Sequence, residues 1–253
     1  MILAFKDYSE EEYLEAIKYD GLKLYYVKEQ TSEICLYAVR QNPYALQFVK
    51  EQTEEICLEA VKKDGLVLRF VKEQTHDICL AAVKQNGMVL EYVKEQTPEI
   101  CLAAVRSNGG AIKYVKEQTE EICLEAIRES AIAIASIKEQ TEEMCIEAIN
   151  QNSWMLRYVK NPTEYIYLRA VSKNPFMLEY IENQTEKMCL TAVKSNPYSL
   201  RYVKEQTPEI CLAAVKKDKF ILELVKIKVP EILELSGFKK DVYEEYKKFV
   251  ESE

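Results

Sequence analysis

The chain of 253 residues has few residues that interrupt regular structure and no segment suited to crossing a membrane. It contains six glycines and seven prolines, and no uninterrupted apolar run approaches the ~20 residues that a membrane-spanning helix needs. Hydrophobic residues make up 48% of the chain, which argues against intrinsic disorder. The apolar residues 1–5 are too few for a signal peptide and lack a basic leader. We therefore expect a cytoplasmic protein that does not enter a membrane.

The sequence also lacks the patterns that usually carry chemistry. His76 is the only histidine, no two cysteines are spaced C-x-x-C, and neither a glycine-rich phosphate loop nor a nucleophile elbow is present. These absences predict no metal, no cofactor and no catalysis. Carboxylates are abundant, but most of them occupy helix-start positions, where they stabilise the helix dipole. A carboxylate-dependent hydrolase is the enzymatic alternative that stays open.

A repeat of 22 residues occurs ten times from Ser9 to Lys228 without an insertion or deletion. When its positions are numbered from 1, position 1 is Ser9 in the first repeat and threonine in the other nine. Position 8 is alanine in all ten repeats. A fixed period of this size predicts a stacked-repeat protein, in which each repeat buries its apolar face against its neighbours.

Each repeat contains the signals for two helices. The position 1 hydroxyl and the Asn, Asp or Ser of position 12 are good N-caps. At 100° per residue, positions 4, 5, 6, 8 and 9 form one apolar arc, and positions 14, 15, 16, 18 and 19 form another. We predict an all-α fold, an α-solenoid of ten two-helix repeats (9–228) in a single elongated domain, with a lead-in (1–8) and a C-terminal capping helix (229–253). The alternative is a leucine-rich type of repeat, in which the second segment is a strand.

All eight cysteines occupy position 5, on the apolar arc of the first helix. Equivalent positions of stacked helices lie ~8 to 10 Å apart, whereas a disulfide needs Cα atoms within ~7 Å. We therefore predict buried free thiols and a reducing compartment. Together with the position 8 alanines they form the predicted structural framework, which includes Cys57, Ala60, Cys79, Ala82, Cys101, Ala104, Cys123 and Ala126.

Two positions of the repeat are mostly basic and one is mostly aromatic, which suggests binding of nucleic acid, but the total charge of the chain argues against it. Position 20 is lysine in nine repeats, position 10 is basic in eight, and position 18 is usually Tyr or Phe. The net charge is −8, whereas a phosphate-binding surface normally shows a basic excess. We expect the tyrosines of position 18 to pack in the core and the lysines to stabilise helix ends. Binding of single-stranded RNA remains the alternative function.

The repeat departs from its consensus mainly between residues 128 and 184. Four aromatic residues and two polar residues stand out among the changes in this stretch. We predict that these six residues bind a partner, namely Trp154, Tyr165, Tyr167, Phe176, Asn150 and Glu182. Large aromatic side chains on a rigid stack are good anchors for a protein. The other interpretation is neutral drift with compensating changes in the core.

The repeated core, as in residues 56–65 (I-C-L-E-A-V-K-K-D-G) followed by residues 68–72 (L-R-F-V-K), resembles an uncharacterised tandem-repeat family. Its members occur in bacteria, their mobile elements and large DNA viruses, and carry runs similar to L-x-A-V-K-x-N-G-x-x-L-x-Y-V. The resemblance covers the ten repeats and implies no activity. We therefore expect a non-catalytic scaffold that binds a protein. One form that the resemblance suggests is a phage- or element-encoded inhibitor of a host defence complex, such as an RNA-guided nuclease.

Overall fold

The structure is a computed structural model and describes residues 10–227 together with Ile232. The predicted lead-in (1–8) and, apart from Ile232, the predicted capping helix (229–253) lie outside these residues. Within them, ten α-helices of ten residues alternate with ten 3₁₀-helices of six residues, and no strand is present. The all-α solenoid prediction is confirmed, and the leucine-rich alternative is wrong. None of the described helices is long and apolar enough to cross a membrane.

The first helices of the ten repeats span Glu10–Tyr19, Ser32–Gln41, Glu54–Lys63, His76–Gln85, Pro98–Ser107, Glu120–Glu129, Glu142–Gln151, Glu164–Lys173, Glu186–Ser195 and Pro208–Lys217. The second helices span Gly21–Tyr26, Pro43–Phe48, Gly65–Phe70, Gly87–Tyr92, Gly109–Tyr114, Ala131–Ser136, Ser153–Tyr158, Pro175–Tyr180, Pro197–Tyr202 and Lys219–Leu224.

The residues at positions 1 and 12 set the ends of both helices, as predicted. In the fifth repeat, the Thr97 hydroxyl accepts a hydrogen bond from the N–H of Ile100 at 3.3 Å. Asn108 then ends the first helix, because its N–H donates to the Ala104 carbonyl, and begins the second, because its Oδ1 accepts from Gly110 N–H at 2.9 Å. Among the second helices of the described residues, the one after Ser130 has no side-chain cap.

The second helix differs in type from the predicted α-helix. It is a six-residue 3₁₀-helix, whose N–H groups bond to carbonyls three residues earlier, as Val115 does to Ile112 at 3.1 Å. A 3₁₀-helix advances by about 120° per residue, so positions 13, 16 and 19 share one face and positions 14 and 17 share another. The first of these faces is buried and the second faces solvent, as at Leu90 and Glu91.

This geometry corrects the expected core. A turn of 100° per residue had placed positions 14 and 18 in the buried arc. In the structure, Tyr26, Tyr158 and Tyr180 of position 18 are exposed, and the other aromatic side chains of that position are half-buried. The interpretation of the position 18 tyrosines as core residues is therefore wrong for those three. The core consists instead of positions 4, 5, 8 and 9 of the first helix and positions 15, 16 and 19 of the second.

The chain forms two compact halves, one ending at Glu139 and the other beginning at Gln140. Within each half, every first helix packs against the first helix of the next repeat, and every second helix packs against the next second helix. The single-domain organisation of the ten repeats remains a prediction.

At eight places in the described residues, a glutamine side chain at position 22 bonds to the end of the following second helix. Gln96, at position 22, accepts a hydrogen bond from the N–H of Lys116 at 3.0 Å and donates one to the carbonyl of Tyr114 at 2.9 Å. Both backbone groups lie at the C-terminal end of the following second helix, where helical partners run out. We call this pair of bonds the glutamine clamp. It is formed by Gln30, Gln52, Gln74, Gln96, Gln118, Gln140, Gln184 and Gln206.

The start of the second helix also lies very close to the next repeat. A Cβ atom added to Gly87 would stand 2.2 Å from the carbonyl oxygen of Ala104, far inside van der Waals contact. Ala104 is one of the position 8 alanines, all of which are buried in the described repeats from Ala38 onwards. A residue without a Cβ and a residue with a small side chain therefore meet at this junction.

We expect Gln96→Leu to destabilise the protein, because Tyr114 C=O and Lys116 N–H would both lose their partner. A buried polar group left unsatisfied costs ~1 to 3 kcal/mol. Urea denaturation followed by circular dichroism should show a lower midpoint. Gln47→Leu is the matched control, since that exposed amide bonds only to the carbonyl of Tyr44 in its own helix at 3.0 Å. Equal midpoints for the two variants would contradict a structural role for the clamp.

We expect Gly87→Ala to lower the melting temperature, because the backbone of one of two packed repeats must shift. Overpacking of this kind typically costs ~1 to 3 kcal/mol. Gly110→Ala is the control, since its added Cβ would meet only the side chains of Asn108 and Met88. That variant should be neutral or slightly stabilising, because alanine lowers the entropy of the unfolded chain. Similar losses in both variants would show that the close approach at Gly87 is unimportant.

Candidate protein-binding surface

Of the six residues predicted to bind a partner, the structure exposes Glu182 and three aromatic residues. Trp154 and Phe176 occupy position 14 of their second helices, with 42% and 37% of their surface exposed. Position 14 faces solvent because it lies one 3₁₀ turn before the charged position 17. Tyr165, in the first turn of a first helix, is 58% exposed. All three lie in the C-terminal half.

Asn150 takes part in a contact between two first helices. Its Oδ1 accepts a hydrogen bond from Arg169 Nε at 2.6 Å. Elsewhere the same two positions hold an arginine and a glutamate in the opposite arrangement, as in the pair of Arg106 Nε and Glu125 Oε1 at 2.7 Å. The change to asparagine thus keeps a hydrogen bond between neighbouring repeats. This structural role explains Asn150 without the need for a binding protein.

Tyr167 is half-buried and replaces a cysteine whose usual partner is also replaced. In other repeats the thiol donates to the clamp glutamine five residues earlier, as Cys101 Sγ does to Gln96 Oε1 at 3.7 Å. The residue five before Tyr167 is Pro162, which has no side-chain amide. The cysteine and the glutamine are therefore exchanged together, and the eighth repeat has no glutamine clamp.

Glu182 lines a groove that recurs along the molecule. Its carbonyl accepts a hydrogen bond from Lys204 Nζ at 3.0 Å, and its neighbours in the groove include Glu186 and Cys189. Equivalent positions line grooves at Gln74 and at Gln96. The groove is a consequence of the repeat, although the residues that correspond to Glu182 do not line the other two, namely Lys72 at Gln74 and Lys94 at Gln96.

The lysines of position 20 form bonds to the neighbouring repeat. Lys94 Nζ donates to the carbonyl of Lys72 at 3.0 Å, and Lys116 Nζ donates to that of Lys94 at 2.8 Å. Each ammonium group thus stabilises a carbonyl at the end of the preceding second helix, which agrees with the predicted role at helix ends. The lysine column is therefore part of the framework.

The cysteines are buried free thiols, as predicted. Burial raises the pKa of Cys57, Cys189 and Cys211 to about 11 and raises the pKa of the other five as well. A protonated thiol is a poor nucleophile and a poor metal ligand. The described residues contain no group of three or more potential metal ligands, and His76 lies 3.2 Å from the carboxylate of Glu99.

A continuous row of aromatic side chains lies on the second helices of the C-terminal half. Position 14 is aromatic and exposed in all four of its repeats, namely Trp154 (42%), Phe176 (37%), Tyr198 (39%) and Phe220 (72%). Ring contacts join neighbouring repeats edge to face. The ring centroids are 5.3 Å apart for Trp154 and Tyr180, and 6.0 Å apart for Phe176 and Tyr202.

A row of exposed charges runs beside these aromatic side chains. Position 17 of the same four repeats holds Arg157, Glu179, Arg201 and Glu223. Because residues three apart are eclipsed on a 3₁₀-helix, each repeat presents one aromatic ring and one charge side by side. The Arg157 guanidinium lies 5.9 Å from the ring centroid of Trp154. We call these eight residues the aromatic-charge face.

The described N-terminal half has an aromatic residue at position 14 in one repeat, the half-buried Tyr44, whose ring contacts Phe70 with centroids 6.2 Å apart. Its position 14 residues from the third repeat onwards are Leu66, Met88, Gly110 and Ile132, and its position 17 residues include Ala135. Sequence reasoning selected Trp154 and Phe176 but missed Tyr198 and Phe220. The sequence did contain a signal for the exposure of these residues. Only six residues separate the cap of position 12 from the buried Val or Ile of position 19, and such a short segment favours a 3₁₀-helix.

We expect the stability of the protein to fall between about pH 9 and pH 11. The raised pKa values mean that the folded state holds the thiol protons more tightly than the unfolded state does. Their contribution to the free energy of unfolding is therefore complete below pH 9 and is lost as the pH rises through 11.

Urea denaturation at pH 8, 9.5 and 11 measures this loss. The triple variant Cys57→Ala, Cys189→Ala and Cys211→Ala should lose less stability over that interval than the wild type. An identical pH dependence in the two proteins would show that other groups cause the alkaline loss.

Comparison with known proteins identifies the repeat and nothing beyond it. The family model described as "Domain of unknown function (DUF4116)" matches residues 9–52 and 53–97, and each match covers about two of the 22-residue repeats. No curated protein and no solved structure matches the chain. Over residues 9–97 the chain is therefore similar to this tandemly repeated domain of unknown function, which confirms the resemblance to an uncharacterised tandem-repeat family.

Proposed function

We propose that the protein is a non-catalytic helical-repeat scaffold that binds another protein through the aromatic-charge face. The observation that carries the proposal is the exposed aromatic residue at position 14 in each repeat of the C-terminal half. Their backbones are held by the caps of position 12, so the rings can be buried by a partner at little cost in backbone entropy. Exposed aromatic and arginine side chains are the usual energetic centres of protein interfaces.

The charges of the face favour a protein over a nucleic acid. Two arginines and two glutamates alternate along it, whereas a strand of phosphates would need positive charge throughout. The lysines of position 20 donate to backbone carbonyls, and the chain as a whole carries a net charge of −8. Exposed rings could stack on bases, which is the feature that favours single-stranded RNA as the second candidate.

The host-defence inhibitor expected from the resemblance is one specific form of this function. Such an inhibitor would use the aromatic-charge face to cover a surface that the defence complex needs. The eight free thiols fit a reducing compartment such as the cytoplasm.

The proposal is tested by affinity purification with mass spectrometry, using the wild-type chain and two variants as bait. We expect Trp154→Ala with Phe176→Ala to lose at least about 90% of a captured protein, since a hot-spot aromatic contributes ~2 kcal/mol or more. Tyr25→Ala is the matched control, because Tyr25 is an exposed aromatic residue of a second helix in the other half. Tyr165→Ala, assayed separately, shows whether the predicted first-helix residue contributes.

Equal capture by all baits would contradict a role for the face. Capture that disappears after nuclease treatment, together with filter retention of single-stranded RNA that falls with salt, would instead support the nucleic-acid alternative.

A further inference from the structure

The charges along the aromatic-charge face alternate in sign, so that the row read from its other end has the opposite sign at every position. From the seventh repeat to the tenth, position 17 holds Arg157, Glu179, Arg201 and Glu223, all of them exposed. Read backwards, the signs are inverted at every place. A second copy that runs in the opposite direction therefore offers a carboxylate to each arginine and a guanidinium to each glutamate.

The aromatic residues keep their places in such a pairing. A two-fold axis that is parallel to the second helices and passes between the eighth and ninth repeats reverses the order of the repeats. It leaves the level along each helix unchanged, so position 17 faces position 17 and position 14 faces position 14. Trp154 then faces Phe220 of the second copy, and Phe176 faces Tyr198.

The charges of this face have no competing ion pair in the described part of the chain. Neither arginine lies within 4.0 Å of a carboxylate there, and neither glutamate lies that close to a cation. Their sum is zero, although the whole chain carries a net charge of −8. Two copies that meet on this face therefore bring no net charge together there.

The opposite arrangement, in which each repeat faces the same repeat of the second copy, fits less well. It reverses the helix direction and places position 17 against position 14. The two arginines would then lie over Trp154 and Tyr198, which is favourable, but Glu179 and Glu223 would lie over Phe176 and Phe220, so half of its contacts are unfavourable. The face of an aromatic ring carries negative charge density and disfavours a carboxylate.

The N-terminal half shows that the charge pattern is not a general property of the repeat. Its charged position 17 residues are Arg69, Glu91 and Lys113, and their signs read the same in both directions. The other position 17 residues of that half are uncharged, namely Tyr25, Gln47 and Ala135. A row of four alternating charges therefore occurs only in the half that also carries the aromatic row.

We infer that the protein bound by the aromatic-charge face is a second copy of this chain, in a two-fold symmetric dimer with reversed repeat order. The inference rests on the proposed function, since it names the partner of the same face. The aromatic residues supply most of the affinity, and the four exposed ion pairs supply the register, because exposed pairs add little energy but penalise wrong alignments.

The test is a charge exchange between two variants, followed by sedimentation equilibrium. Arg157→Glu with Arg201→Glu makes the face acidic throughout, and Glu179→Arg with Glu223→Arg makes it basic throughout. Each variant alone should dimerise at least about tenfold more weakly than the wild type, because like charges now face each other. A 1:1 mixture of the two should form a heterodimer at least as tight as the wild-type dimer.

Arg69→Glu with Lys113→Glu is the matched control, because it makes the same charge change in the other half. Its dimerisation should equal that of the wild type. Circular dichroism of every variant establishes that the repeats remain folded, since all of these side chains are exposed and are not part of the core.

A wild-type chain that sediments at its monomer mass of 29.4 kDa at every concentration would overturn the inference. So would acidic and basic variants that fail to pair in the mixture, or an N-terminal control that weakens the dimer equally. If the wild type is monomeric but Trp154→Ala with Phe176→Ala still abolishes capture of another protein, the proposed function stands and only self-pairing fails. If neither a dimer nor face-dependent capture is found, the proposed function fails as well.

Discussion

The glutamine clamp is the interaction on which the rest of the architecture depends. A six-residue 3₁₀-helix forms few hydrogen bonds of its own, and its last carbonyl and the N–H beyond its end need outside partners. A primary amide has a donor and an acceptor on one planar group, so a single glutamine can satisfy both, whereas a glutamate cannot donate. Because each clamp glutamine belongs to the preceding repeat, the bonds that complete a second helix also fix that helix against the repeat before it, as Gln96 does for Tyr114 and Lys116.

The binding surface follows from the short second helix. With three residues per turn, positions 14 and 17 face solvent together, while positions 13, 16 and 19 face the core. An α-helix over the same residues would have turned Phe176 and Tyr198 towards the core and left only the charges outside. The exposed aromatic residues are thus a consequence of the backbone geometry that the clamp stabilises, and they can vary among repeats without disturbing the framework.

The sequence predicted the features whose hydrogen bonds or contacts are local. Thr97 and Asn108 cap helices through bonds to residues two or three positions away, and the burial of Cys101 and Ala104 follows from the apolar arc of one α-helix. The clamp was missed because Gln96 bonds to groups 18 and 20 residues later, and no local pattern records that distance. The exposure of Tyr180 and the bond of Asn150 to Arg169 were missed for the same reason, since both depend on the helix type and the contact between repeats.

Pro162 leaves an aromatic contact where a glutamine clamp would otherwise accompany it. It removes the clamp that would have held Tyr180 C=O and the N–H of Glu182, so the seventh and eighth repeats lose one connection. Across the same two repeats, the ring of Trp154 packs edge to face on that of Tyr180 with centroids 5.3 Å apart. An aromatic contact on the solvent side therefore joins second helices that have no glutamine between them. Trp154 therefore helps to join two repeats and also exposes surface to a partner. Tyr198 lies on a second helix that the Gln184 clamp holds in place, so its ring is available to a partner.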